Sequence, residues 1–131
     1  MLKIATPLNE ALENLAHHVI GCCVAVHREL GPGLLESIYA QAVMLELRAR
    51  QIQFEAEKAI PVRYRGTLLC HQRLDLLIEG QLVLELKSVE RLDSIHVAQV
   101  LSYLRVADVR LGLLVNFNVS ILKNGIRRVI L

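Results

Sequence analysis

Tryptophan is absent from the sequence, and two phenylalanines and three tyrosines bring the aromatic content to only 4%. That scarcity excludes a stacking platform that threads a single nucleic-acid strand across many rings; a grip on such a strand would have to act on its phosphates. Cysteine is limited to Cys22, Cys23 and Cys70, an odd number with no Cys-x-x-Cys arrangement. A disulfide framework is excluded, the clustered spacing of a structural zinc site is missing, and the three thiols read as reduced core residues of a cytoplasmic protein. A strong excess of one charge is lacking too. The formal net charge is +2, so any nucleic-acid surface has to be a local patch. The apolar stretch 19–26 is broken by Gly21 and is too short to span a bilayer, and no basic segment with a cleavable apolar stretch opens the chain. Neither a membrane span nor a secretion signal is expected, and no repeat, low-complexity tract or interdomain linker is visible.

What the sequence has in abundance is apolar residues: 53% of 131 positions, against 21% charged. Disorder is excluded by that balance, and the length suits one domain over residues 1–131 with a core of its own. The interior of so small a monomer is limited, so part of the apolar surplus is expected at a subunit interface, with a twofold homodimer the default symmetry.

Hydrophobic spacing divides the domain into a helical pair over 6–50 and a sheet with one helix over 54–131. Thr6 as cap and Pro7 at the first helical position predict a helix whose Leu8, Leu12, Leu15, Val19, Cys22, Cys23, Val26 and Leu30 recur at helical spacing. It ends at Gly31-Pro32-Gly33. A second helix is predicted over 34–50 from the stripe Tyr39, Ala40, Val43 and Leu47. Glu36 lies on the same stripe, which interaction with the helix N-terminus three residues after a cap at Gly33 would explain. Extended segments follow at 59–64, 67–71, 74–78 and 82–87, with a turn at Arg65-Gly66 and Pro61 marking an edge strand. Ser94 is read as the cap of a helix over 95–106, and strands at 111–117 and 126–131 complete the chain.

Two consecutive strands each carry an intruding charge. In 82–87 the period of two puts Val83, Glu85 and Lys87 on one face and three leucines on the other, while Asp75 interrupts the apolar run 74–78. A tight two-residue turn at Glu79-Gly80 would set Asp75 opposite Leu84, on the wrong face for Glu85. A three-residue loop, 79–81, sets Asp75 opposite Glu85, and that register is predicted because it alone brings the carboxylates together. Paired carboxylates repel unless compensated, and Mg²⁺ or Mn²⁺ takes such oxygen ligands. Lys87 would then serve the attacking water and the developing phosphate charge, as phosphodiester hydrolysis requires. A cross-strand salt bridge on a solvated sheet face is the structural alternative. His96, Gln99 and Tyr103 share one face of the following helix, leaving Ile95, Ala98 and Leu101 for the core. Arg63, Arg65, Arg73, Lys87 and Arg91 are candidates for a basic rim around the cleft, Arg73 foremost because it shares the face of Asp75.

Asp75 followed ten residues later by Glu85-Leu86-Lys87 resembles the PD-(D/E)XK nuclease signature, with Leu74 where that signature has proline. Gln99-Val-Leu-Ser-Tyr103 resembles the QxxxY element of the RecB-like branch. Leu30-Gly-Pro-Gly33-Leu-Leu-Glu36-Ser-Ile-Tyr39 is similar to the GxxExxY protein family, assigned to the same superfamily. The likeness continues through Asp75-Leu-Leu-Ile, Val83-Leu-Glu85-Leu-Lys87, Leu111-Gly-Leu-Leu-Val-Asn-Phe117 and Lys123-Asn-Gly-Ile-Arg-Arg128, nearly the whole chain. It implies an α/β, restriction-endonuclease-like core in which a central mixed β-sheet is flanked by α-helices, with an N-terminal helical pair. By the same resemblance Asp75 and Glu85 bind metal, the Leu86 carbonyl contributes, and Glu36 joins the metal centre rather than merely capping its helix. Lys87 serves the water, and Gln99 and Tyr103 line the phosphate path.

A Mg²⁺- or Mn²⁺-dependent nuclease, acting on DNA, is therefore the expected activity, with Glu36, Asp75, Glu85, Lys87 and Gln99 catalytic and Arg73, His96 and Tyr103 contacting nucleic acid. A non-catalytic nucleic-acid-binding or assembly module that retains the nuclease fold is the alternative from a different class. Calorimetry with Mn²⁺ separates the two. A ligand-binding protein using the apolar helices rests on their hydrophobicity alone, which core packing already explains.

Overall fold

The computed structural model describes residues 7–131. Two helices, α1 (Glu10–Leu30) and α2 (Glu36–Ala49), lead into three strands, β1 (Phe54–Tyr64), β2 (Thr67–Ile78) and β3 (Leu82–Lys87). Helix α3 (Ser94–Ala107) follows, then β4 (Leu111–Asn116), a short 3-10 turn and β5 (Ile126–Ile130). The strands form one five-stranded sheet in chain order, antiparallel except where β3 and β4 run parallel across the α3 crossover. This is the mixed, helix-flanked sheet with an N-terminal helical pair that the sequence predicts.

Alternation of side chains in β3 and β4 explains why both sheet faces are covered. Leu82, Leu84 and Leu86 with Leu111, Leu113 and Val115 pack against the buried stripe of α1 (Leu12, Ala16, Val19, Cys22, Cys23, Val26) and against Tyr39, Val43 and Leu47 of α2. On the other face Val83 and Leu114 join Val100, Tyr103 and Leu104 of α3. Strands buried on both sides read as continuous apolar runs, as these do.

Several boundaries differ from the sequence reading. Thr6 lies outside the described residues, and Pro7 is not helical; Asn9 caps α1, its Oδ1 accepting the Leu12 N–H at 2.8 Å. At α3 the cap is Asp93, not Ser94, because His96 Nδ1 accepts the Asp93 N–H at 3.0 Å while the Asp93 side chain takes the reciprocal bond. The α3 face is also rotated. Leu101 packs on the core as expected, together with Val97, Val100 and Leu104, whereas Ile95 is 68% exposed and Ala98 is exposed too. The segments 67–71 and 74–78 are one strand, since Gln72 and Arg73 offer no turn chemistry and pair with Ile60 and Ala59. Pro61 does sit on the edge strand. Cys22 and Cys23 are core residues, but Cys70 is exposed, because the outer half of β2 runs beyond the sheet.

One irregularity bears on the site. Glu57 in β1 has φ +50° and faces Asp75, between the pairs Ala56↔Leu76 and Lys58↔Leu74. There the pleat alternation breaks, so Leu74 packs on the α3 side although Leu76, two residues on, packs on the α1–α2 side.

Candidate active site

The loop after β2 has the length the carboxylate pairing requires. Glu79 and Gly80 both adopt left-handed backbone (φ +52° and +66°), the Gln81 N–H returns to the Ile78 carbonyl at 2.9 Å, and Ile78 pairs with Leu82. The ladder continues through Leu77↔Val83 to Leu76↔Leu84 and stops. In the same register the next two residues are Asp75 and Glu85, and here side chains replace main chain. Asp75 N–H donates to Glu85 Oε1 and Leu86 N–H donates to Asp75 Oδ2, both at 2.9 Å. The strands part around the two carboxylates, each of which ties its neighbour's backbone.

Glu85 is only 3% exposed. Burial, and then the adjacent Asp75 charge, hold its carboxyl well above the usual carboxylate range, with Lys87 acting in the opposite sense. Tyr103, 8% exposed on α3, has its phenol pushed up by burial and by the negative charges of Glu85 and Asp75. Its hydroxyl therefore remains a proton donor beside the pair. Asp75, Glu85, Lys87 and Tyr103 thus form one electrostatic group.

Asp75 also borders a cleft of about 440 Å³ on the α2 side, together with Glu36, Glu57, Met44, Leu76 and Leu86. Glu36 occupies the first turn of α2 behind Leu35, which supplies no side-chain cap, and Glu36 Oε1 accepts the Ser88 N–H at 3.3 Å. Ser88 Oγ in turn donates to the Leu34 carbonyl. The Tyr39 hydroxyl donates to the Gly31 carbonyl and accepts the Leu34 N–H, and its ring stacks on Phe117 with centroids 4.4 Å apart. The Gly-x-x-Glu-x-x-Tyr spacing is thereby explained: the tyrosine fastens the turn that carries the glutamate to the end of β3.

Among the described residues no three His, Cys, Asp or Glu side chains stand close enough to hold a metal ion, so Glu36 does not complete a preassembled trio with Asp75 and Glu85. The pair itself fits a hard divalent cation. Its donors are oxygens, one acid is buried against the charge of the other, and a cation between them would relieve both the desolvation and the repulsion.

The remaining predicted residues are spread more widely. Gln99 is exposed one turn before Tyr103, and His96 is engaged in the α3 cap. Arg73 is exposed, its Nη1 3.5 Å from the Glu57 carbonyl. Arg63 and Arg65 do not form a rim: Arg65 lies at the hairpin turn before Thr67, and the eight residues of β2 from Thr67 to Asp75 alone span about 27 Å. Three positions escaped the sequence reading. Ser88 and Glu57 owe their places to topology and left no local signal. Asn116 did leave one, a polar residue in the apolar run of β4; it is 2% exposed and clamps the segment after Lys87, its amide giving and taking bonds of 3.0 Å with the Val89 carbonyl and N–H.

A family model described as the PD-(D/E)XK nuclease superfamily matches residues 13–129. No curated protein and no solved structure matches the chain.

Proposed function

Because the chain belongs to the PD-(D/E)XK nuclease superfamily, we propose that it is a divalent-metal-dependent nuclease that hydrolyses phosphodiester bonds, with DNA as its strand and the cytoplasm as its setting. Its mixed sheet flanked by helices is consistent with the restriction-endonuclease-like core, and membership implies nuclease-like chemistry and nucleic-acid binding. No helix among the described residues is long and apolar enough to cross a membrane.

The observation that carries the reading is the Asp75–Glu85 pair at the parting of β2 and β3, with Lys87 on the same face. Asp75, Glu85 and the Leu86 carbonyl would hold Mg²⁺ or Mn²⁺, with Glu36 as a further acid on the cleft. When bound, the ion would supply Lewis-acid polarisation of the phosphate and a lower pKa for water. Lys87 orients the attacking water and stabilises the charge that grows on the phosphate oxygens. Tyr103 donates a hydrogen bond toward the same oxygens, and Gln99 lines their approach. A twofold dimer belongs to this reading, supported by Leu35, the cap residue before α2, and Leu45 on it, 71% and 65% exposed.

The test is cleavage of single-stranded, duplex and branched DNA, and of RNA, with Mg²⁺ and with Mn²⁺, using Glu85→Gln and Lys87→Ala as controls. Metal-dependent cutting lost in both variants is expected. Wild-type protein that binds neither ion and cuts none of these substrates would overturn the reading in favour of a non-catalytic module.

A further inference from the structure

Two stretches of the chain carry positive charge with no aspartate or glutamate, 58–74 and 109–131, and the first of them is a single hairpin. Residues 58–74 hold Lys58, Arg63, Arg65 and Arg73 and no aspartate or glutamate, so this segment carries +4 while the rest of a chain of net +2 carries −2. In the fold it is the outer half of the β1–β2 hairpin. β2 pairs with β3 only over 76–78, so from Arg73 outward β1 is its sole sheet partner among the described residues.

Arg63, Arg65, His71 and Arg73 are all exposed. The ion pairs among the described residues are Lys58–Glu55 and Arg128–Glu13, which leaves Arg63, Arg65 and Arg73 without a carboxylate. The register orders them. Ala59 pairs with Arg73 and Pro61 with His71; the bulge at Val62/Arg63 leaves Leu69 of β2 as the extra residue, so Arg63, now opposite Leu68, keeps the parity of Ala59 and Pro61 along β1 and the face of His71 and Arg73. It is the face opposite Ile60 and Leu74, which pack on the α3 side, and hence lies on the side of the cleft bordered by Asp75 and Glu36. From Asp75 to Thr67 the strand spans about 27 Å, the rise of about eight base pairs of duplex.

We propose that this hairpin is an arm that lies along the sugar-phosphate backbone of a nucleic acid and leads it to the Asp75–Glu85 site, with Arg63, Arg65 and Arg73 as the phosphate contacts. The inference rests on the nuclease reading for what happens at the site, but the arm's binding is separable from cleavage.

The experiment is equilibrium binding of labelled duplex DNA, single-stranded DNA and RNA by the full chain in chelator, over a salt series, comparing wild type with the triple variants R63A/R65A/R73A and R63K/R65K/R73K. The alanine triple should bind more weakly, with a salt slope shallower by about three for duplex DNA, while the lysine triple keeps the slope. The polymer that shows the change identifies the backbone recognised. Circular dichroism checks the fold, which these exposed positions should leave intact. Equal affinity and slope in wild type and alanine triple would overturn the arm even if wild type proves to be a nuclease. Arm-dependent binding without cleavage under any metal would uphold the arm and end the nuclease reading. Leu69 and Tyr64, 62% and 65% exposed near the tip, would also suit a lipid surface; binding to phosphatidylserine vesicles with none to nucleic acid overturns the proposal.

Discussion

Glu85 couples the site to pH through a group that burial and Asp75 hold protonated beyond the ordinary carboxylate range. For an acid whose folded pKa is raised, the stabilising contribution is complete below the unfolded value of about 4.3 and is lost as pH climbs through the folded one. The metal-free protein should therefore lose stability as pH rises above that ordinary range, and Glu85→Gln should flatten the decline; urea melts in chelator across the pH series check this. Identical profiles would mean the burial argument is wrong. Asn116 offers a second expectation. Its amide satisfies both polar atoms of Val89, so Asn116→Ala should cost about 1–3 kcal/mol in denaturant melts and lower nuclease activity by loosening the segment after Lys87. Asp75 and Glu85 were legible because charges inside apolar strands need a reason. Asn116 gives the same signal in β4 and went unread. The role of His96 was legible too, since Asp93 and His96 stand at cap and N3 spacing, but a polar helical stripe was the more conspicuous pattern.

At the scale of elements, α3 lies close on β4. A Cβ at Gly112 would come within 2.6 Å of Val100 Cγ1 and 3.3 Å of a Leu104 methyl. Gly112→Ala should accordingly destabilise by about 1–3 kcal/mol, seen as a lower midpoint in thermal or urea unfolding, because neither neighbour has room to retreat from a packed interior. The phase of α3 was misread for a related reason: apolar residues occur all around it, so periodicity alone does not say which of them the sheet covers. The 79–81 loop was readable because a one-residue slip would have sent Asp75 to the opposite face from Glu85, a constraint far sharper than turn propensity. The continuity of β2 was not, since its outer half carries no apolar alternation and owes its extension to β1 alone.

Across the whole molecule, exposed apolar side chains occur in several places, on α2 (Ile38, Leu45), on the β1–β2 hairpin (Tyr64, Leu68, Leu69) and on α3 (Ile95). If α2 is the dimer face, sedimentation equilibrium should give twice the chain's 14.7 kDa, and Leu45→Glu should return the monomer mass without lowering the unfolding midpoint of that monomer. A monomeric wild type would remove the dimer and leave the site untouched, because every residue that ties the carboxylates in place belongs to the same chain.

The parting of β2 and β3 also sorts one kind of variant from another. Alanine at Asp75 or Glu85 removes an ionisable group and a backbone acceptor together, so lost activity would confound chemistry with architecture. Asparagine or glutamine there keeps an oxygen for the Leu86 or Asp75 N–H and removes the capacity to ionise. The same substitution tells what the positions are for. A sheet that needed these oxygens merely as acceptors would be more stable with amides, free of a buried acid and its repulsive neighbour; that both remain acids is what a purely architectural role would leave unexplained.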